Sequence, residues 1–186
     1  MDRAEVLLIG GRSGAGKTTV GWEVAARLRA AGVAHAIVEG DFLAQVYPPP
    51  PEGGDGGGAG GGAALTARNL AALWANFAVL GYRRLVYTNT VSVLPASAGM
   101  FAEAMGADVR IVRVLLTASD RTAGERLARR ELGSELADGL RTSAAKARLL
   151  DEGVPPDTVR VATDGRSVID IAREVVAATG WARGAA

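Results

Sequence analysis

Residues 7–28 read LLIGGRSGAGKTTVGWEVAARL, and the order of residue types in this stretch decides the fold. The mostly apolar residues 5–9 end at two glycines, a pattern typical of a buried strand followed by a turn. Beyond the glycines, Val20, Val24 and Leu28 recur at the spacing of one helix face. The stretch therefore predicts a strand, a glycine-rich loop and a helix in immediate succession.

The loop satisfies the pattern G-x-x-x-x-G-K-[ST], with Gly11, Gly16, Lys17 and Thr18 at the fixed positions. Its backbone N–H groups turn toward a phosphate, and the following helix adds the positive end of its dipole. We expect side chains at Gly11, Gly14 and Gly16 to be excluded because they would block the phosphate. Lys17 reaches the β- and γ-phosphates and the Thr18 hydroxyl binds Mg²⁺. The predicted nucleotide contacts are Gly11, Ser13, Gly14, Ala15, Gly16, Lys17, Thr18 and Thr19.

Strand and helix patterns alternate along the rest of the chain, which favours a parallel sheet covered on both faces. We predict an α/β fold, a three-layer α/β/α sandwich with a five-stranded parallel sheet, formed by residues 1–186 as a single domain. The strongest helical pattern covers residues 65–80, and its predicted buried face consists of Leu70, Leu73, Trp74, Phe77 and Leu80.

Composition excludes several classes of function. The chain has 186 residues, a net charge of +1 and no cysteine. Without cysteine there are no disulfides, thiolate metal sites or cysteine nucleophiles, and a charge near zero disfavours nucleic acid as a partner. Because no stretch is long and apolar enough to span a membrane, we expect a cytoplasmic protein without a membrane partner.

Residues 48–64 are a low-complexity segment rich in proline and glycine. Proline has no N–H to donate, and glycine loses more conformational entropy on ordering than any other residue. We therefore predict a disordered loop over residues 48–64. It is either a tolerated surface insertion or a lid that contacts substrate.

Two acids, Glu39 and Asp41, follow the second predicted strand. In a parallel sheet the carboxyl ends of the strands share one edge with the phosphate loop, so both acids are expected at the reaction edge. Asp41 is predicted to accept the proton of an acceptor hydroxyl or to hold Mg²⁺, unless it only caps a following helix. Glu39 is either a weaker candidate for the same edge or a structural residue.

The third strand lacks the acid that usually binds Mg²⁺ in nucleotide-binding proteins with this loop. Thr88, Asn89 and Thr90 occupy that position. We predict that Asp41 carries the metal and proton chemistry instead, and that Asn89 binds an acceptor. Asn89 is otherwise an ordinary turn residue at a strand end.

Residues 119–150 are predicted to form a helical lid. Arg126 and Arg130 share one helix face and could neutralise phosphate charge, Arg126 at the nucleotide and Arg130 in catalysis. The alternative is a solvated face on which these arginines pair with neighbouring glutamates. Asp164 and Gly165 follow the fifth strand and are predicted to contact the adenine edge, or to form an ordinary turn.

The order of these motifs resembles the P-loop small-molecule kinases of the nucleoside-monophosphate-kinase-like group, which includes adenylylsulfate kinases, gluconate and shikimate kinases and chloramphenicol phosphotransferase. GGRSGAGKTT carries the most specific likeness, and IVEGDFL resembles the strand end of adenylylsulfate kinases. The segment TARNL resembles an acceptor-binding segment of that family, which implies Arg68 and Asn69 in acceptor binding. The Ser-Pro-Tyr-Arg-like stretch of adenylylsulfate kinases is replaced here by TNTVSVLP.

The resemblance implies a fold of the P-loop kinase type and an ATP-dependent phosphotransferase that requires Mg²⁺. Its partner would be a small molecule that offers a hydroxyl acceptor, with Lys17, Asp41 and Arg130 as catalytic residues. The missing acid on the third strand supports a different hypothesis, a nucleotide-binding switch or weak ATPase that acts through a partner protein.

Overall fold

A five-stranded, all-parallel sheet forms the centre of the chain in a computed structural model that describes residues 3–50, 61–129 and 135–184. The strands follow the spatial order β2-β3-β1-β4-β5. This confirms the predicted fold class. The strands are β1 (Glu5–Gly11), β2 (Ala36–Glu39), β3 (Arg84–Thr88), β4 (Arg110–Thr117) and β5 (Val159–Ala162).

Helices cover both faces of the sheet, as alternation along β1 requires. Leu7 and Ile9 pack in one apolar cluster, and Val6 and Leu8 pack in the other. All four side chains are fully buried, because a central parallel strand has helices on both sides. The helices are α1 (Lys17–Ala30), α2 (Gly61–Val79), α3 (Ala98–Met105), α4 (Asp120–Ala128), α5 (Glu135–Gly153) and α6 (Val168–Thr179).

Helix α2 differs from its prediction at its start and on its buried face. It begins at Gly61, so residues 61–64 of the predicted disordered loop are helical, while residues 51–60 of that loop lie outside the described residues. Leu70 and Trp74 are buried as predicted. Leu73 and Leu80 are exposed, so the predicted five-residue face was wrong at these two positions. The extended apolar periodicity overstated how much of the helix the sheet covers.

Strand register brings the predicted functional residues to one edge of the sheet. Glu39 at the end of β2 is paired with Thr88 at the end of β3. Asn89 directly follows Thr88, and Asp41 follows Glu39 after one glycine, at the edge where the β1 loop also emerges. In the described part of the chain, every helix is too short or too polar to traverse a bilayer.

Candidate active site

The loop from Gly11 to Lys17 requires glycine for a reason that sequence analysis missed. Gly11, Gly14 and Gly16 have φ angles of 148°, 83° and 94°, which side chains disfavour. A Cβ on Gly14 would lie 2.6 Å from the Ala123 carbonyl oxygen, and one on Gly11 would lie 2.7 Å from that of Leu116. At these two positions glycine therefore also lets the loop pack against α4 and β4, in addition to any contact with phosphate.

Helix α1 begins directly behind this loop and presents an uncapped amino end. Its N-cap residue is Gly16, which has no side chain to accept hydrogen bonds from the first turn, and that turn contains no acid. Lys17 is buried, and its Nζ lies 3.4 Å from the carbonyl oxygen of Arg12. Helix N–H groups and a lysine in this arrangement favour an anion.

Arg126 joins the loop to the end of β5. Its guanidinium donates hydrogen bonds to the carbonyl of Gly14 at 3.1 Å and to the hydroxyl and carbonyl of Thr163 at 3.0 and 3.1 Å. Glu125 forms its ion pair with Arg121, at 3.0 Å, and not with Arg126. The alternative of a solvated glutamate–arginine face therefore does not describe Arg126. Arg130 lies outside the described residues, and its catalytic role stays a prediction.

Asp164 fastens the turn after β5 to the start of α4. Its carboxylate accepts hydrogen bonds from the hydroxyl of Ser119 at 2.6 Å and from the backbone N–H of Ser119 at 3.1 Å. The Ser119 hydroxyl bond is the main reason that the pKa of Asp164 falls from 3.8 to about 2. Gly165 is exposed at a φ angle of 65°. Contact of Asp164 and Gly165 with adenine stays a prediction.

Arg12 is a structural residue of the site that sequence analysis missed. Its side chain is only 5% exposed. Its Nε donates to the Ser143 hydroxyl at 2.8 Å, and its guanidinium forms an ion pair with Asp120. The Ser143 hydroxyl in turn donates to the Ser13 carbonyl at 2.8 Å. Because the motif accepts any residue at this position, no signal in the sequence pattern distinguishes Arg12.

The two acids at the end of β2 and in the turn that follows it have separate partners. Thr18 donates its hydroxyl hydrogen to Glu39 at 2.8 Å. Asn89 donates its side-chain amide to Asp41 at 2.6 Å, and its own amide oxygen accepts from the N–H of Val91 at 2.9 Å. Asp41 lies in a 3-10 turn, Gly40–Phe42, whose N-cap is Glu39, so it does not have the helix-capping role of the alternative interpretation.

Gly40 sits between these acids because no larger residue fits there. A Cβ at this position would lie 2.1 Å from the hydroxyl oxygen of Tyr87, whose ring is buried beneath the turn. Burial, and then the charge of Asp41, raises the pKa of the Tyr87 hydroxyl, so the phenol stays neutral. Glycine at position 40 is therefore required by packing against Tyr87 of β3.

One pocket of about 520 Å³ collects most of the predicted nucleotide contacts and one predicted acceptor residue. Gly11 and Ala15 do not line it, although both belong to the loop. Asn69 donates to the carbonyl of Leu43 at 2.6 Å, and Arg68 is exposed on α2; neither lines this pocket. The lining residues are Ser13, Gly14, Gly16, Lys17, Thr18, Thr19, Glu39, Asp41, Phe42, Arg126 and Leu127.

Oxygen ligands for Mg²⁺ are present at the centre of this pocket. Thr18 and Glu39 supply a hydroxyl and a carboxylate within 2.8 Å of each other. Mg²⁺ prefers oxygen ligands, and beside a nucleotide it takes one or two from protein and the remainder from phosphate and water. Among the described residues no group of three or more acidic or histidine side chains could hold a metal alone. The donor set therefore fits a magnesium ion that arrives with phosphates.

Comparison with known proteins rests on structure alone. No protein-family model matches the chain, and no curated protein is significantly similar to it in sequence. APS kinase from Mycobacterium tuberculosis, solved with AMPPNP and APS, is 21% identical with a TM-score of 0.56 and 96% and 99% of the two chains covered. A gluconokinase from Sinorhizobium meliloti 1021 is 22% identical with a TM-score of 0.59, covering 99% and 95%.

A third similar structure is the tunicamycin resistance protein of Deinococcus radiodurans. It is 18% identical, has a TM-score of 0.62, and the match covers 96% of both chains. Such identities establish a shared architecture and leave the reaction to be argued from the site. The chain therefore has the fold of the P-loop small-molecule kinases, with its glycine-rich loop and the acids Glu39 and Asp41 at the carboxyl edge of the sheet.

Proposed function

We propose that the protein is an ATP-dependent phosphotransferase that moves the γ-phosphate of Mg²⁺-bound ATP to a hydroxyl of a small molecule. The single observation that carries this proposal is that two acids at the pocket have different hydrogen-bond partners. Thr18 with Glu39 and Asn89 with Asp41 form two separate hydrogen-bonded pairs that line or adjoin the pocket of the phosphate loop. A metal site and a proton acceptor are the two elements that phosphoryl transfer to a hydroxyl needs.

Asp41 is the residue proposed to receive the proton of the acceptor hydroxyl. The amide of Asn89 holds one carboxylate oxygen at 2.6 Å and fixes the orientation of the group, while the side chain stays exposed to the pocket. An oriented carboxylate next to the γ-phosphate positions the nucleophile and accepts its proton during transfer. Asn89 acts through Asp41 in this scheme and is a positioning residue.

Charge on the transferred phosphoryl group is proposed to be met by Lys17 and the N–H groups of the loop, with Arg126 at the nucleotide. Bound Mg²⁺ would neutralise part of the phosphate charge, held by Thr18 and Glu39. In this proposal Glu39, and not Asp41 as predicted from the sequence, supplies the metal-binding acid that the third strand lacks; Glu39 is paired with Thr88 at the end of that strand. With Glu39 as a metal ligand, the missing acid of the third strand is a weaker argument for a nucleotide-binding switch that has no acceptor.

The similar structures support the same class of reaction. APS kinase was solved with a nucleotide analogue and APS together, and a gluconokinase is also among the similar structures. Both share the fold of this chain. The likeness gives no acceptor for this chain, because the sequence identity is about a fifth.

Asp41→Asn is the variant that tests the proposal. ADP release is measured with Mg²⁺-ATP and a panel of hydroxylated metabolites. The wild type should turn over slowly until an acceptor is added. The variant should bind ATP with wild-type affinity by calorimetry and lose transfer by about 10²–10⁴-fold, the usual contribution of a general base.

Two results would refute this assignment. Undiminished transfer in Asp41→Asn would remove Asp41 as the proton acceptor. A turnover that no acceptor raises, while a partner protein does raise it, would identify the switch or weak ATPase instead. Nucleotide binding itself should be present in either case.

A further inference from the structure

The geometry points to an acceptor that is uncharged and has an apolar body, bound over Phe42 in a groove between the Gly40–Phe42 turn and α2. This inference rests on the proposed function and narrows it to a class of substrate. The hydroxyl would face Asp41, and the remainder of the molecule would extend away from the phosphates along α2.

The groove is a concavity of about 330 Å³ that no part of the nucleotide pocket explains. Its volume suits a small molecule. It opens beside the turn that carries Asp41 and runs against the exposed side of α2. The lining residues are Phe42, Leu43, Asn69, Ala72, Leu73 and Asn76.

Phe42 connects this groove to the phosphate pocket, since its ring lines both. The side chain is 68% exposed, which leaves a large apolar surface next to the reacting groups. Leu73, whose burial was wrongly predicted, is exposed in the same groove. An acceptor that spans the two cavities would cover both side chains and gain their burial.

The walls of the groove are held together by a specific contact. Asn69 on α2 donates to the carbonyl of Leu43 at 2.6 Å, which fixes the turn against the helix. The predicted acceptor residue Asn69 therefore shapes the groove, and its neighbour Arg68 lies outside it. A groove built this way is present before the acceptor binds, which lowers the entropic cost of binding.

Charge decides between classes of acceptor. Of the described residues that line the groove, none carries a charge, and its polar side chains are the amides Asn69 and Asn76. A carboxylate or sulfate placed there would lose its hydration without gaining a counter-ion, which is costly. Amides pair readily with neutral hydroxyl, carbonyl and amide groups. A neutral molecule with an apolar body fits this lining, and an anionic metabolite does not.

Two probes that share a benzylic hydroxyl and differ by one carboxylate group test this inference. Benzyl alcohol is neutral, and 4-(hydroxymethyl)benzoate carries a negatively charged carboxylate on the same ring. Binding is titrated by saturation-transfer NMR with Mg²⁺ and AMPPNP present. Benzyl alcohol should bind in the millimolar range, as its size allows, and the benzoate about tenfold more weakly or worse.

Phe42→Ala should weaken the binding of benzyl alcohol about tenfold, and Leu73→Ala should weaken this binding to a smaller extent. Val79→Ala is the matched control, because it removes an exposed apolar side chain from the same helix outside the groove. Equal or tighter binding of the benzoate would overturn the inference. The inference would also be overturned if no binding of benzyl alcohol were detected, or if Phe42→Ala left the affinity for benzyl alcohol unchanged.

Failure of this inference is separable from failure of the proposed function. Calorimetry with Mg²⁺ and AMPPNP reports the phosphate pocket independently of any acceptor. If anionic metabolites act as acceptors in the ADP-release assay, the proposed phosphotransferase activity would be supported and the inference of a neutral acceptor would be refuted. If only neutral molecules with an apolar part act as acceptors, and Phe42→Ala slows transfer to them, the proposed function and the inference about the acceptor would both be supported.

Discussion

The two sides of the reaction edge are built differently. On the phosphate side, Arg126, Arg12 and Asp164 each make several hydrogen bonds that join the loop, α4, α5 and the end of β5. On the acceptor side, two single hydrogen bonds, from Asn89 to Asp41 and from Asn69 to Leu43, accompany exposed apolar side chains.

This difference matches two proposed tasks: binding of the nucleotide, which is the same for every acceptor, and binding of one particular acceptor. Under the proposed function, recognition of a polyphosphate needs fixed N–H groups, and the phosphate side is cross-linked from several elements of the fold. Recognition of the proposed acceptor needs shape and apolar contact, and the other side leaves Phe42 and Leu73 exposed. Substitutions on the phosphate side should therefore affect every acceptor alike, whereas those on the acceptor side should discriminate among them.

Lys17→Ala should give the largest effect on the phosphate side. The variant removes the ammonium group that is buried behind the loop, and turnover should fall about 10³-fold with every acceptor. Lys146, the only other lysine of the chain, supplies the matched control as Lys146→Ala. Steady-state ADP release measures both, with circular dichroism to verify folding. Retained turnover in Lys17→Ala would contradict the phosphate-binding role of the loop.

Arg126→Ala should give an intermediate effect that is also independent of the acceptor. It leaves the carbonyls of Gly14 and Thr163 without this donor, at a cost of about 1–3 kcal/mol, so ATP affinity should fall about tenfold and the melting temperature should drop. Arg129→Ala removes an exposed arginine from the end of the same segment and is the control. Calorimetry and thermal unfolding that show the two variants equal would contradict the structural role of Arg126.

Asp164→Asn should give the smallest effect, visible in its pH dependence. The folded pKa of about 2 lies below the ordinary 3.8, so the carboxylate stabilises the fold above pH 4. This contribution is lost as the pH falls through about 2. The melting temperature of the variant should be lower than that of wild type by at most about 3 °C at pH 7, and the gap should close in acid.

The control for this pH series is Asp157→Asn, at an exposed aspartate before β5. Differential scanning fluorimetry over the same pH range reports both variants. A gap for Asp164→Asn that stays constant, or widens in acid, would contradict the assignment of its low pKa to the Ser119 contact.

The strand–loop–helix order around Gly11–Lys17 and its place in the sheet could be predicted from the sequence because the signals are local; the contacts of these residues with a nucleotide stay predictions. The loop motif lies within eight residues, and alternation of strands and helices determines which edge carries the loop and the acids. The placement of Asp41 and Asn89 at the carboxyl edge was predicted from the common direction of parallel strands, whereas the hydrogen bond between them was not predicted. These features depend on short-range pattern and on one topological rule.

Long-range packing was beyond the same reasoning. The partnership of Arg12 with Ser143 joins residues 131 positions apart, and no periodicity reports it. The role of Glu39 beside Thr18 depends on the approach of β2 to α1. On α2, Leu73 has helical spacing suited to a core, yet the sheet does not extend far enough to cover it. Coverage of a helix is a property of the whole fold and not of its own sequence.

Tyr87 has a consequence that reaches beyond its own strand. Its buried side chain lies directly against Gly40, the residue between Glu39 and Asp41, so it supports the turn that holds both acids. The proposed metal-binding and proton-accepting residues are thereby linked through one aromatic side chain. A change in core packing beneath the turn at Gly40 would therefore displace both acids at once, even with every polar residue of the edge left in place.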